Sequence, residues 1–472
     1  MKPKQHFARS LKTPIVLTAS LVVCLSNGAM AQTADNWTGT ISGDWNNAAN
    51  WSEGVVPTKA GNYHAVINTS APNVATITLG IIPPVDIIIG SGSGNNGRLD
   101  HPSGEGSTGS GNWMYVGTAG GTGVYNLAKT DEPGAGISGF ATGSGSMSTN
   151  GGRFYVGGWT SSGSNGTVNI NTTGALTVGS EFNISADGGT GVVNLENGTI
   201  TSNDWTRVGG GAGSNGTLNM VGGTFNKQGG NNFVIGGTGS TGIANVSGGA
   251  INVNNEFWVA NSGGSKGTLN FSGGTITTNS WTCIGRAGAT LGKIVMTGGT
   301  LNKAGGGNFL VGDGSPGQLD LSGGSVTVNG QVWVGQGGGS NGTFNLSSGG
   351  SISNNSWVAV GREGGTGTVN MTGGTWTKTD GGSAFIVASS GPGTFNQSGG
   401  LVDVQQGETW MGESGSGSYS LSGSGEIRAG YFQVARNGSS TVTVNLDGGT
   451  LQATQIAGGG GNSTVNFNGT QI

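Results

Sequence analysis

The sequence has few of the side chains that carry out most enzymatic and redox chemistry. Only 8% of its 472 residues are charged, and it contains three histidines and two cysteines. After residue 31, only His64, His101 and Cys283 remain of these two residue types. A single cysteine cannot form an intramolecular disulfide or a paired thiolate metal site. Stability must therefore come from packing of the chain against itself.

Candidate catalytic groups are equally sparse. Glycoside hydrolysis needs two carboxyl groups about 5 to 9.5 Å apart, and a lyase needs a base with cationic or metal assistance. The densest ionisable patch is Arg98, Asp100, His101 and Glu105, in a stretch of glycine, proline and serine that is typical of an exposed turn. The aspartate-bearing nonapeptides of calcium-binding β-rolls are absent. We therefore predict a protein that is not an enzyme, with no catalytic residue, no metal site and no cofactor.

Long apolar runs are confined to the N-terminus. Residues 1–31 combine four basic residues, an apolar stretch over residues 15–25 and a small-residue cleavage site before Gln32. This pattern predicts a signal peptide and an exported mature chain. A lipoprotein anchored through Cys24 is the alternative, although Val23 is bulkier than the residue usual at that position. No second apolar segment of about 20 residues follows, so we expect no membrane span.

Positive charge is scarce as well. Without residues 1–31, the chain has 14 basic and 22 acidic residues, a formal charge of −8. Proteins that bind nucleic acid need clustered lysine and arginine to neutralise phosphates. We therefore do not expect nucleic acid as a partner.

Glycine, in contrast, is abundant, with 103 residues. A diglycine recurs with a period of about 25 residues, at Gly222, Gly248, Gly273, Gly298, Gly323, Gly349, Gly373 and Gly399. Each copy contains three short apolar segments separated by glycine turns. A period of about 25 residues without helical periodicity predicts an all-β fold, a parallel β-helix whose strands stack about 4.8 Å apart. About 15 coils at that spacing would form a rod about 70 Å long.

Two apolar columns distinguish this repeat from a disordered, glycine-rich chain. One column contains Leu218, Leu269, Leu319, Phe344, Val369 and Phe395. The other contains Ile235, Val259, Ile284, Val311, Val334, Val360 and Val387. A disordered segment has no reason to keep apolar residues at fixed phases of a repeat. We predict that both columns face the interior.

The residues before the repeats have a different composition. Trp37, Trp45 and Trp51 lie close together in the sequence, and the last of these follows Asn50 and precedes a turn with glycine and proline. Solenoids need an atypical terminal unit to cover the first coil, and large aromatic side chains suit that role. We predict a signal peptide over residues 1–31, a Trp-rich β cap over 32–90 and a β-solenoid over 91–472.

This tryptophan- and glycine-rich start, followed by glycine-rich repeats, resembles secreted bacterial β-helical proteins of the autotransporter-passenger type, with autotransporter-associated β-strand repeats. The resemblance implies a parallel β-helix outside the cell, at the cell surface or outer membrane of a Gram-negative bacterium. It also implies a structural or adhesive role, such as that of an adhesin.

Tryptophan and lysine reveal a longer period. Intervals of about 75 residues separate successive members of three sets: Trp205, Trp281 and Trp357; Trp258, Trp333 and Trp410; and Lys227, Lys303 and Lys378. The repeating unit is therefore a block of three coils. Strand parity places the aromatic residues on an outer face, with a repeat of about 14 Å. We predict Trp258, Trp281, Trp333, Trp357, Trp410 and Tyr431 as binding residues.

Three interpretations of these outward aromatics stay open. They could form a platform for glycans, a lateral contact with a second copy, or a patch covered by the protein's own turns. We therefore expect an exported, non-enzymatic structural or adhesive β-solenoid, with polysaccharide, a cell-surface glycan or another copy as partner. The alternative is a carbohydrate-binding or polysaccharide-degrading β-helix protein.

Further columns predict contacts between coils. Asparagines at positions 169, 194, 219, 245, 270, 345, 370, 396 and 445, with Asp320 at one place, can form a ladder of side-chain hydrogen bonds. In a second column, Arg286 can pair with Asp313, and Glu413 with Arg436. An irregular spacing indicates that residues 128–142 form a loop extruded from one coil.

Overall fold

The computed structural model describes residues 32–472, which form a parallel β-solenoid of about 16 coils. The predicted signal peptide lies outside the described residues. Thirty-seven strands form one continuous sheet, and two more form a separate antiparallel hairpin. The predicted fold class is confirmed.

In chain order, the strands are β1 (Thr33–Asn36), β2 (Tyr63–Ile67), β3 (Ala75–Thr76), β4 (Ile87–Ser91), β5 (Asn96–Asp100), β6 (Glu105–Ser107), β7 (Met114–Thr118), β8 (Thr122–Leu127), β9 (Lys129–Pro133), β10 (Phe140–Ala141), β11 (Ser146–Ser148), β12 (Phe154–Val156), β13 (Asn165–Val178), β14 (Phe182–Ile184), β15 (Thr190–Ser202), β16 (Thr206–Val208), β17 (Asn215–Met220), β18 (Thr224–Lys227), β19 (Phe233–Ile235) and β20 (Thr241–Val246). They continue as β21 (Ala250–Val253), β22 (Phe257–Asn261), β23 (Lys266–Phe271), β24 (Thr275–Thr278), β25 (Thr282–Arg286), β26 (Leu291–Lys303), β27 (Phe309–Asp313), β28 (Pro316–Val328), β29 (Val332–Gln336), β30 (Asn341–Leu346), β31 (Gly350–Asn354), β32 (Val358–Arg362), β33 (Thr366–Lys378), β34 (Ala384–Val387), β35 (Gly393–Asp403), β36 (Glu408–Met411), β37 (Ser416–Val434), β38 (Thr441–Gly458) and β39 (Asn462–Phe467). One 3-10 helix spans Ala48–Asn50.

The strands stack in three parallel ladders, which we call A, B and C. Ladder A contains β3, β5, β8, β17, β20, β23, β30 and β39, and ladder B contains β6, β11, β18, β21, β24 and β31. The long strands β13, β15, β26, β28, β33 and β35 run through both A and B, and β37 and β38 run through all three. Ladder C contains β1, β2, β4, β7, β12, β14, β16, β19, β22, β25, β27, β29, β32, β34 and β36.

Glycine is required at two kinds of place in each coil. Gly274, in a diglycine between ladders A and B, has a φ of +90°, which side chains disfavour. Gly267 lies at the start of a ladder A strand, where a Cβ would stand 2.2 Å from the Ile235 carbonyl oxygen of the preceding coil. The recurring glycines therefore provide both the bend of the chain and the close approach of one coil to the next.

One core runs through the stack from Trp37 to Leu451. The predicted apolar columns are confirmed, because every member lies in this core and is at most 1% exposed. At the N-terminal end, the Trp51 ring packs edge to face against Trp37 and Trp45, with centroids 5.1 and 4.9 Å apart. These three rings join the core of the same stack.

Three lysines lie inside the solenoid at the end of ladder B strands. Lys227, Lys303 and Lys378 are 1%, 0% and 0% exposed. The Lys303 ammonium donates to the carbonyl oxygens of Gly305, Gly307 and Asn329 at 2.5, 2.5 and 2.7 Å. The three-coil period seen in the sequence thus has an interior component, in which an ammonium group binds the carbonyls of a turn.

The asparagine ladder and the extruded loop are also confirmed. On ladder A, side-chain amide bonds of 2.7 to 2.9 Å join consecutive rungs from Asn126 to Asn270. Val295 interrupts this series, and Asn345 bonds to Asp320 at 2.6 Å to begin another. The extra residues after β8 form the hairpin of β9 and β10, outside the main sheet.

Candidate functional site: the aromatic face of ladder C

The central column of ladder C points away from the core. In β22, Phe257 and Val259 belong to the core, whereas Trp258 between them belongs to a separate outer cluster with Cys283, Leu310 and Trp333. Trp333 and Trp410 occupy the same position in β29 and β36. The outward direction inferred from strand parity is therefore correct for these tryptophans.

These three tryptophans are nevertheless covered, with exposures of 7%, 8% and 5% for Trp258, Trp333 and Trp410. An arginine from the next coil lies over each ring: Arg286 at 4.4 Å, Arg362 at 4.1 Å and Arg436 at 3.4 Å from the centroid. A guanidinium at such distances from an indole makes a cation–π contact. The covering group is therefore the protein's own arginine, an arrangement that strand parity alone could not predict.

The indole nitrogens of this column are bound as well. Trp258 Nε1 donates to Glu256 at 2.7 Å, Trp333 Nε1 to Gln331 at 2.8 Å, and Trp410 Nε1 to Glu408 at 2.7 Å. In each case the acceptor lies two residues earlier in the chain, at or just before the start of the strand. The central tryptophans thus have both a covered face and a satisfied donor, and they act as packing residues.

A second set of aromatics lies two positions before the central column. We call it the outer file, and it consists of Trp113, Trp205, Trp281, Trp357 and Tyr431. These side chains are partly exposed, with Trp357 the most open at 36%. The parts of the aromatic face that a partner can reach therefore belong mainly to the outer file.

Rings of the outer file pair with central tryptophans two coils further along. The centroid distances are 5.9 Å for Trp205 and Trp258, 5.7 Å for Trp281 and Trp333, and 5.4 Å for Trp357 and Trp410. The last two pairs are edge to face, a favourable geometry for aromatic rings. Each pair therefore bridges the intervening coil, and the central residue of that coil, such as Leu310 beneath Trp281 and Trp333, is buried.

The pair formed by Trp281 and Trp333 borders a groove of about 290 Å³. The groove has aromatic walls, an apolar floor and a polar rim, formed by Trp281, Trp333, Cys283, Leu310, Glu256, Arg286, Asp313 and Gln336. Burial raises the pKa of the Cys283 thiol, so the floor is uncharged at neutral pH. This combination suits a ligand that has both an apolar face and hydroxyl groups.

One of the two predicted ion pairs forms at the rim of this groove. Arg286 lies 3.6 Å from Asp313, and burial raises the pKa of Asp313 although the guanidinium opposes the shift. The other predicted pair, Glu413 with Arg436, is wrong. Arg436 stacks on Trp410 instead, and Glu413 accepts a hydrogen bond from Ser389 at 2.7 Å.

A cluster of four aromatic rings lies at the N-terminal end of the same face. Trp159 packs against Trp113 and Tyr155 at 5.3 and 4.8 Å, and Tyr115 stacks on Tyr155 at 5.8 Å. Trp159 has a φ of +86°, an uncommon value for a side chain of this size. Trp113, Tyr115 and Tyr155 lie at the outward phases of their coils, whereas Trp159 lies in a turn and has no counterpart in the other coils.

The ionisable patch near residue 100 does not converge on one site. The carboxylate of Asp100 pairs with Arg98 at 2.8 Å, and Glu105 is exposed. His101 instead faces the interior, where Nδ1 lies 2.9 Å from the Tyr125 hydroxyl oxygen. Burial lowers the pKa of His101 to about 4, so its imidazole is neutral at physiological pH. Its side chain is directed away from the Asp100 carboxylate.

Two features are absent from residues 32–472. No cluster of three or more histidine, cysteine, aspartate or glutamate side chains there could hold a metal ion. No helix in this part of the chain has the length and apolarity needed to cross a membrane.

Comparison with known proteins adds no relationship to this picture. No family model matches the chain, and no curated protein sequence matches it. The fold and the repeated aromatic face are therefore the features from which a function can be argued.

Proposed function

We propose that the protein is an exported, non-enzymatic β-solenoid that serves as a structural or adhesive element outside the cell and binds a polysaccharide or cell-surface glycan. Ladder C is the proposed binding face. Residues 1–31 support export, because they have the composition of a signal peptide. The resemblance to autotransporter passengers supports a location at the surface of a Gram-negative cell.

The observation that carries the proposal is the groove beside Trp281. The apolar faces of sugar rings stack on aromatic side chains, and their hydroxyl groups bond to carboxylates, amides and guanidinium groups. The groove brings these groups together, because Glu256, Asp313 and Gln336 line it together with the indoles of Trp281 and Trp333. A sugar ring placed there would meet stacking surface and hydrogen-bonding groups at once.

Replacing Trp281 and Trp357 together with alanine tests this proposal. We expect binding on a glycan array to fall by about tenfold or more, because loss of one good stacking contact costs about 1 kcal/mol and two are removed. Phe467→Ala is the matched control, since Phe467 is an aromatic residue with 55% exposure on ladder A, outside the outer file. The circular dichroism spectra of all variants should match that of the wild type.

The proposal fails if the wild-type protein binds no glycan, or if the double variant binds as strongly as the Phe467→Ala control. Absence of glycan binding together with sedimentation as long oligomers would favour lateral assembly through the same face. Release of oligosaccharides from a bound polymer would contradict the non-enzymatic part of the proposal and favour a polysaccharide-degrading β-helix.

A further inference from the structure

The outer file has a regular spacing along the solenoid, which the sequence shows for every member except Trp113. Its five members fall at one register position, and two coils separate each member from the next. The gap from Trp113 to Trp205 is longer in sequence because the hairpin of β9 and β10 is inserted there. Three coils correspond to about 14 Å, so five rungs span about 58 Å of the rod.

Polar side chains alternate with these rungs. In the coil before each of the last four rungs, the same register position holds Glu181, Glu256, Gln331 or Glu408. Three of them accept a hydrogen bond from a central tryptophan at 2.7 to 2.8 Å, which fixes their orientation. Carboxylate and amide oxygens can accept further bonds. The file thus repeats a stacking ring and an oriented acceptor every three coils.

We propose that the ligand of this face is a neutral, extended polysaccharide that lies parallel to the solenoid axis and contacts successive rungs of the outer file. This inference rests on the proposed function, and it adds the direction, the charge class and the multivalency of binding. A chain that reaches two rungs converts the second contact into an intramolecular event, which raises the overall affinity.

The charges on this face favour a neutral chain. Each of the five arginines of ladder C lies over a tryptophan, at 3.4 to 5.1 Å from its centroid. Four of these guanidinium groups also pair with carboxylates: Arg153 and Arg207 with Glu181, Arg286 with Asp313, and Arg362 with Glu363. Glu256 and Glu408 form no ion pair within residues 32–472 and place uncompensated negative charge between rungs. A polyuronate would meet like charge at Glu256 and Glu408 and few unpaired guanidinium groups along the file, and that repulsion lowers affinity.

Affinity electrophoresis of residues 32–472 in gels that contain xylan, mixed-linkage glucan, glucomannan or polygalacturonate tests the charge class. We expect retardation by at least one neutral polymer and weaker retardation by polygalacturonate. Stronger retardation by polygalacturonate would overturn the neutral class. Absence of retardation by every polymer would overturn the proposed function itself.

Oligosaccharides of increasing length, prepared from the best neutral polymer, test the direction and the multivalency. We expect the dissociation constant to fall by about tenfold or more once the oligomer reaches about 14 Å and can span two rungs. The double variant Trp205→Ala, Trp357→Ala keeps three rungs about 29 Å apart. In this variant the dissociation constant should therefore fall only when the oligosaccharide reaches about 29 Å. The double variant Trp113→Ala, Tyr431→Ala also keeps three rungs, but at the original spacing. Its dissociation constant should fall at the same oligosaccharide length as that of the wild type.

The comparison between the two double variants decides the inference, because both keep three aromatic rungs and the spacing between those rungs differs by a factor of two. Circular dichroism establishes that both are folded. If both variants bind oligosaccharides and show the same dependence on length, the rungs act independently and the axial chain is wrong, although glycan binding as such would stand.

Discussion

Trp258 and Trp281 lie one coil apart on the same face, yet their surroundings differ. The ring of Trp258 lies beneath Arg286, its nitrogen is bound to Glu256, and only 7% of the residue is exposed. Trp281 is partly exposed and borders the groove. The first residue therefore contributes mainly to stability, and the second is available to a partner.

Replacing Trp258 with alanine should destabilise the protein by about 3 to 5 kcal/mol, because truncation of a buried aromatic residue removes its contacts and leaves a cavity. Trp281→Ala should cost clearly less, since its ring is only partly packed. Urea unfolding followed by circular dichroism measures both. Equal destabilisation by the two substitutions would contradict the distinction between the central column and the outer file.

The interior lysines predict a dependence of stability on pH. Burial lowers the pKa of Lys227 to about 8, below the ordinary value of 10.5. Between pH 8 and 10.5 the unfolded chain therefore holds more protons than the folded one, so this residue makes the free energy of unfolding rise with pH. Below pH 8 the folded protein bears the full cost of a buried charge.

Lys227→Met removes this titration. We expect the urea midpoint of the wild type to rise relative to that of Lys227→Met as the pH increases from 7 to 10. Lys266→Met is the control, because Lys266 is exposed on ladder A and its replacement should leave the pH profile unchanged. Parallel profiles for wild type and Lys227→Met would show that the buried ammonium keeps its ordinary pKa.

At the scale of the element, glycine determines how one coil lies on the next. A Cβ at Gly267 would stand 2.2 Å from a backbone oxygen, whereas a Cβ at Gly263 would meet no atom within 4 Å, and the φ of Gly263 lies outside the left-handed range. The two glycines are only four residues apart in the same coil. Substitution of each glycine in turn therefore distinguishes the need for a residue without a Cβ from the effect of glycine on the flexibility of the unfolded chain.

Gly267→Ala should destabilise the protein by about 1 to 3 kcal/mol or more, because the backbone of two coils must move apart. Gly263→Ala should be neutral or slightly stabilising, since alanine restricts the unfolded chain. Thermal unfolding measures the difference. A Gly267→Ala variant as stable as Gly263→Ala would mean that the coils are not in the register described.

Residues that recur at a fixed phase of the repeat could be predicted from the sequence. Contacts that a long side chain makes with a residue of the neighbouring coil were missed. The core columns and the asparagine ladder repeat at fixed phases, so counting residues was sufficient to find them. The cover of Trp258 comes from Arg286 in the next coil. Arg286, Arg362 and Arg436 recur at intervals of 76 and 74 residues, but that period does not say whether each guanidinium stacks on an indole or pairs with a carboxylate. Arg436 shows the same limit, because its stacking on Trp410 displaced the predicted pair with Glu413.

At the scale of the whole molecule, the block of three coils organises both the interior and the surface. Lys227, Lys303 and Lys378 occupy the interior at that period, and the outer file occupies ladder C at the same period. Trp113 belongs to the file, but the inserted hairpin hides its spacing in the sequence. A rod with five aromatic rungs at one register position is suited to a ligand that repeats along its own length, which is the central claim for this protein.

Tryptophan-selective oxidation with N-bromosuccinimide, read by mass spectrometry, tests that claim most directly. Without polymer, Trp281 and Trp357 should be oxidised faster than Trp258 and Trp333, because the latter are covered. Saturation with the best-binding neutral polysaccharide should slow the oxidation of Trp281 and Trp357 several-fold and leave Trp258 and Trp333 unchanged. Oxidation of Trp281 and Trp357 at the same rate with and without bound polymer would contradict the account.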